Sequence, residues 1–74
     1  MWQAAESTSR SVTMAVASFQ ALLEIDPSAA YGHYGLGQAL KQIGRRDEAR
    51  THLRLAVALS PDSALYRAAL ARAG

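Results

Sequence analysis

Between residues 12 and 25 the apolar side chains stand at Val12, Ala15, Val16, Phe19, Leu22, Leu23 and Ile25, in steps of three and four that lay a wide stripe along one helical face. The spacing predicts a helix over 12–25, capped by Ser9 or Ser11 and closed by Pro27, because proline disfavours helical geometry in the residue before it. Ahead of it, Ser7, Thr8 and Ser9 have low helix propensity despite Trp2, Ala4 and Ala5. Residues 1–10 are therefore expected either as a frayed segment or as an extension of that helix, with 11–74 forming the helical domain. A second helix is predicted from Pro27 and Ser28 to about Ile43, with Asp26 or Ser28 accepting its free amides and Gly44 as its left-handed terminator. Asp47 is expected to cap a third helix running to about Leu59, with Glu48 in its first turn, where both acids meet the positive end of the dipole. A fourth begins at Asp62 or Ser63 and carries Ala64 to Ala73, ending at Gly74. Four helices joined by short loops predict an all-α chain of antiparallel neighbours.

The same pattern recurs along the chain. Shifted by 34 positions, Ala15 falls on Ala49, Phe19 on Leu53, Leu22 on Ala56, Leu23 on Val57, Ile25 on Leu59 and Pro27 on Pro61. Beyond the prolines, Ala30 falls on Ala64, Tyr31 on Leu65, Leu36 on Leu70 and Gly37 on Ala71. Small matches small, and large apolar mostly matches large apolar. A fixed period of this length marks a stack of helix pairs, in which a single unit cannot bury its apolar face alone.

Read from Ala30 to Ser63, the unit resembles a tetratricopeptide repeat, whose period is also 34. Leu36, Gly37 and Leu40 occupy the family's first-helix signature, Gly44 its interhelix turn, and Ala49, Leu53, Ala56 and Pro61 its second-helix signature. His33 and Arg46 depart from it, since a large apolar residue and an aromatic are usual there. Residues 12–29 match the second helix of a preceding repeat, and 64–74 the start of a following one. The resemblance implies an antiparallel helix-turn-helix repeat stack, an α-solenoid of about four helices, that acts as a non-enzymatic scaffold for protein partners. It also implies a concave surface lined by the first helix of each pair.

Helix two presents three stripes. His33, Leu36, Gly37, Leu40 and Ile43 form a packing face, and Gly32, Gly35 and Ala39 form an all-small face suited to close approach of the preceding helix. Tyr31, Tyr34, Gln38 and Lys41 form the third. The resemblance assigns this third stripe to the concave surface, with Leu65, Ala68 and Arg72 of the next unit beside it. Tyrosine and arginine are favoured interface anchors, so the candidate peptide groove is Tyr31, Tyr34, Gln38, Lys41, Leu65 and Arg72. The family's lysine and asparagine clamp for terminal carboxylates is not reproduced, because Tyr34 and Gln38 stand at those positions.

Composition narrows the remaining chemistry. The chain has no cysteine, which removes disulfides, thiolate metal sites and a cysteine nucleophile. Eight basic residues against six acidic ones give a net charge of +2, too mild to imply nucleic acid by itself. The densest basic group, Arg45, Arg46, Arg50 and Arg54, is interrupted by Asp47 and Glu48 and lacks interleaved aromatics, so a nucleic-acid or other anionic partner is disfavoured against a solvated face. Neither His33 nor His52 has a second ligand at i+3 or i+4, so no metal is expected; His33 reads as packed and His52 as a surface residue. No nucleophile has a base, no phosphate loop is present, and no catalytic residue or cofactor is assigned. Apolar runs such as Leu55 to Leu59 are too short for a membrane helix, and the expected location is the cytoplasm. The expected role is peptide binding in a shallow groove. The alternatives are a self-associating homodimer, through apolar ends at Val12, Val16 and Phe19 and at Leu65 and Leu70, or a fragment of a longer repeat array.

Overall fold

The computed structural model describes residues 2–73, with side chains from Arg10 onward. It contains α1 (Trp2–Ile25), α2 (Ala30–Gln42), α3 (Arg46–Leu59) and α4 (Ala64–Ala73). Each packs on its successor, and α2 also meets α4, which is the nesting of consecutive helix pairs in a solenoid. The backbone of α1 is helical from Trp2, so Ser9 and Ser11 lie inside the helix and neither starts it. Gly74, the predicted stop for α4, lies outside the described residues. No described helix is long and apolar enough to cross a membrane.

The connections correct two of the sequence expectations. Pro27 and Ser28 belong to a turn, and α2 begins at Ala30 behind the extended Ala29. The Asp26 carboxylate accepts both the Ser28 amide at 3.1 Å and the Ser28 hydroxyl at 2.7 Å. That aspartate turn supplies the backbone with a partner that competes with continued helix. Asp47 does not cap α3, because the helix already starts at Arg46 with no side-chain cap. Asp47 and Glu48 stay in the first turn, where they still oppose the helix dipole, and Glu48 pairs with Arg45 at 3.1 Å.

Two other boundaries follow the expected chemistry. Gly44 has φ +87; its amide donates to the Lys41 carbonyl at 3.1 Å, and that of Arg45 donates to Leu40 at 2.9 Å. These two bonds form the Schellman closure that a left-handed glycine permits. At α4 the Ser63 hydroxyl accepts the Tyr66 amide at 3.2 Å, satisfying one free donor of the first turn.

The core lies where α2 and α3 cross. Leu36, Leu40, Ala49, Leu53 and Ala56 are buried, joined by Ala69 from α4, and Val16, Phe19 and Leu23 of α1 cover it from the other side. Small residues set the helix spacing. A Cβ on Gly37 would stand 2.8 Å from Leu53 Cγ and 3.0 Å from the Ala49 carbonyl oxygen, and one on Gly35 would run into the Phe19 ring. The small face of α2 thus receives α1, and Gly37 receives α3. Ile43, read as part of the packing face, is the C-cap and is exposed.

Candidate functional site

An aromatic ladder crosses three helices on one side of α2. Phe19 meets Tyr31 edge-on with ring centroids 5.8 Å apart, Tyr31 lies 6.3 Å from Tyr34, and Tyr34 lies 5.0 Å from Tyr66 of α4. Tyr31 is 62% exposed while its ring is braced on both sides. Tyr34 is half-buried between its neighbours. Tyr31, Tyr34 and Gln38 line one shallow cleft together with Ala15 and Phe19 of α1 and Gly35 of α2.

Lys41 and Arg72 are brought together elsewhere, in a small pocket with Arg46, Ala49 and Ala73 at the end of α2 and α4. Both are cations in the last turn of their helices, where they offset the negative end of the dipole. Leu65 is 54% exposed and lines neither depression. The sequence-derived set therefore divides into an aromatic cleft, a cationic end and an isolated leucine.

Phe19 and Tyr66 were missing from that set. Phe19 reads as helix-two bulk of a preceding unit, yet its ring edge also props Tyr31. Tyr66 carries a signal in the repeat itself. It stands 34 positions after Gly32, on a face meant for small residues, and a ring there reaches across to Tyr34.

The basic group does not form one face. Arg45 is tied to Glu48, Arg46 and Arg54 are exposed, and Arg50 is half-buried and turned toward α4. Its Nη2 donates to the Ala73 carbonyl at 3.4 Å.

The two histidines, read separately from sequence, form a pair. His33 is buried, its ring stacks on His52 with centroids 5.3 Å apart, and the two Nδ1 atoms lie 3.1 Å apart. His52 is thus half-buried rather than a free surface residue. His33 Nε2 donates to the Pro27 carbonyl at 2.9 Å. A carbonyl only accepts, so neutral His33 keeps its proton on Nε2 and accepts at Nδ1 the proton of His52 Nδ1. The contact links α2, α3 and the turn after α1. Burial, then the neighbouring His33, lowers the His52 pKa from its ordinary value, and Glu48 opposes them.

Because the folded chain disfavours protonated His52, its stabilising effect is complete above the ordinary histidine pKa of about 6.5 and is lost as pH falls below it. Thermal melts at pH 7.5 and pH 5 are expected to show a lower Tm at pH 5, with the drop diminished in His52→Asn. An equal drop in both proteins removes the assignment to this histidine.

Antiparallel helices related by a 34-residue shift, with small residues at the crossings, define a helical-repeat protein of the α-solenoid class. The chain belongs to the tetratricopeptide repeat family, whose model matches residues 12–73. Repeats of this family mediate protein–protein interaction. No curated protein and no solved structure matches the chain.

Proposed function

We propose that the chain binds a peptide segment of a partner protein in the shallow groove along α2, with Tyr31 as its principal anchor. One observation carries this reading: a tyrosine 62% exposed yet braced by Phe19 and Tyr34. A braced ring offers stacking area and a hydroxyl with little rotamer freedom left to lose, which is how aromatic anchors come to dominate an interface. Tyr34 and Gln38 continue the groove, and Leu65, exposed on α4 outside the cleft, offers a separate apolar contact. Beyond the groove, the separate pocket of Lys41 and Arg72 at the ends of α2 and α4 is cationic and favours acidic residues there. Partner recognition is the whole of the reading, with neither catalysis nor a cofactor in it.

The test is selection from a random peptide library, followed by titration of the enriched peptides against the native chain, Tyr31→Ala and Tyr31→Ala/Tyr34→Ala. Loss of an anchor is expected to weaken binding at least ~10-fold. The exposed Tyr31 is the cleaner variant, and a melt of each protein separates lost binding from lost folding. Unchanged affinity in a folded Tyr31→Ala chain removes the groove assignment.

A further inference from the structure

The cleft between α1 and α2 has a counterpart inside the molecule. Moved on by 34 positions, its lining residues Ala15, Phe19, Gly35 and Ala39 become Ala49, Leu53, Ala69 and Ala73. Those four belong to the α3–α4 pair, and α2 is seated against that pair. Gly37 lies against Leu53 and the Ala49 carbonyl, and Tyr34 stacks on Tyr66. In this interior seat Ala49 and Leu53 are 0% exposed. At the α1 copy of the seat, Ala15 and Phe19 remain half-buried. The cleft therefore has the shape that receives a helix of the α2 kind.

The chain carries a second helix of that kind. In α4, Leu70, Ala71 and Arg67 stand where α2 has Leu36, Gly37 and His33, the residues α2 turns toward α3. Within its own chain α4 directs other residues inward: Ala69 is buried and Tyr66 meets Tyr34. Arg67 and Ala71 are exposed and Leu70 is half-buried. The face of α4 that corresponds to the seated face of α2 is thus the face left open. Ala71 has one methyl where Gly37 has none, a difference that sets the incoming helix slightly farther out and weakens the contact relative to the interior one.

We propose that copies of this chain associate head to tail, α4 of one copy entering the α1–α2 cleft of the next and continuing the repeat across the junction. Donor and acceptor faces are different surfaces, so the contact is heterologous and propagates instead of closing as a symmetric pair. Arg67 of the entering helix then lies opposite Ser18, as His33 lies opposite His52. Tyr31, Tyr34 and Gln38 rim the same cleft, so assembly and peptide binding compete for it, although neither requires the other.

Two blocked variants test the proposal. Ala71→Arg obstructs the donor face and leaves the cleft intact, whereas Ala15→Arg obstructs the cleft and leaves α4 intact. Light scattering with mass determination over a wide concentration range is expected to show the native chain growing beyond a dimer, and each variant alone staying monomeric. An equimolar mixture of the two is expected to give a 1:1 dimer and nothing larger, because one good donor and one good cleft remain. Circular dichroism checks folding, and Val12→Arg replaces Ala15→Arg if that variant melts early. A native chain that stays monomeric at millimolar concentration overturns the proposal. So does a closed dimer that either variant still forms, or a mixture that stays monomeric. Monomeric chain that still binds selected peptides through Tyr31 would overturn head-to-tail assembly while leaving the proposed groove standing.

Discussion

Leu53→Ala is expected to lower the melting temperature by roughly 12–24 °C, the shift that a loss of about 3 kcal/mol produces in a domain of this size. Leu53 is 0% exposed, lies against Gly37 of α2, and belongs to the helix that also carries α4. Truncating it removes the apolar contacts of three carbons and leaves a cavity between helices that small residues already hold at close range, so little collapse is available to fill it. The chain has only 74 residues, and a total stability of roughly 4–11 kcal/mol is usual at that length. The loss is therefore a large share of the whole. Thermal unfolding followed by far-ultraviolet circular dichroism measures it, and a shift below about 5 °C would show that Leu53 does not hold the junction. Leu55→Ala, two residues on and 41% exposed, is the control and is expected to move the melt only slightly.

Leu53 was legible in the sequence because it sits at a repeat position, flanked by Ala49 and Ala56 at helical spacing. The same logic gave α2 its small face, and the closure at Gly44 needed only a glycine after the last periodic residue. Turn chemistry was less legible. Asp26, Pro27 and Ser28 carry signals both for a helix start and for an aspartate turn, and which one prevails depends on where α1 leaves the chain. The histidine pair was invisible for a different reason. His33 and His52 lie 19 positions apart on separate helices, and only the crossing of α2 with α3 brings their rings together. Of the candidate groove, Tyr31, Tyr34 and Gln38 share a cleft because one helix presents them at steps of three and four. Lys41, one step further along that helix, falls into the pocket with Arg72 because α4 ends there. Tyr66 was not legible, since its place in the repeat calls for a small residue and its contact is with another helix.

Gly37→Leu is expected to cost about 3 kcal/mol, through overpacking rather than through a void. A Cβ on Gly37 would lie 2.8 Å from Leu53 Cγ and 3.0 Å from the Ala49 carbonyl oxygen. The second neighbour is backbone of α3 and cannot rotate away, so α2 and α3 must separate along the whole crossing to admit a larger residue. Any helix-propensity gain from removing a glycine, about 1 kcal/mol at most, is too small to offset that separation. Gly32 supplies the internal comparison on the same helix. A Cβ there would meet leucine side chains and no backbone, Leu23 Cδ2 at 2.9 Å, Leu22 Cδ2 at 3.2 Å and Leu23 Cγ at 3.3 Å, and leucine side chains shift by small rotamer adjustments. Gly32→Ala is therefore expected to stay within about 0.5 kcal/mol of the native chain, its propensity gain balancing the adjustment. Urea unfolding of both variants, with the slope checked for two-state behaviour, separates the cases. Equal loss at the two positions would mean that the α3 backbone beside Gly37 is no more of an obstacle than the leucine side chains beside Gly32, contrary to the glycine-set spacing of α2 and α3.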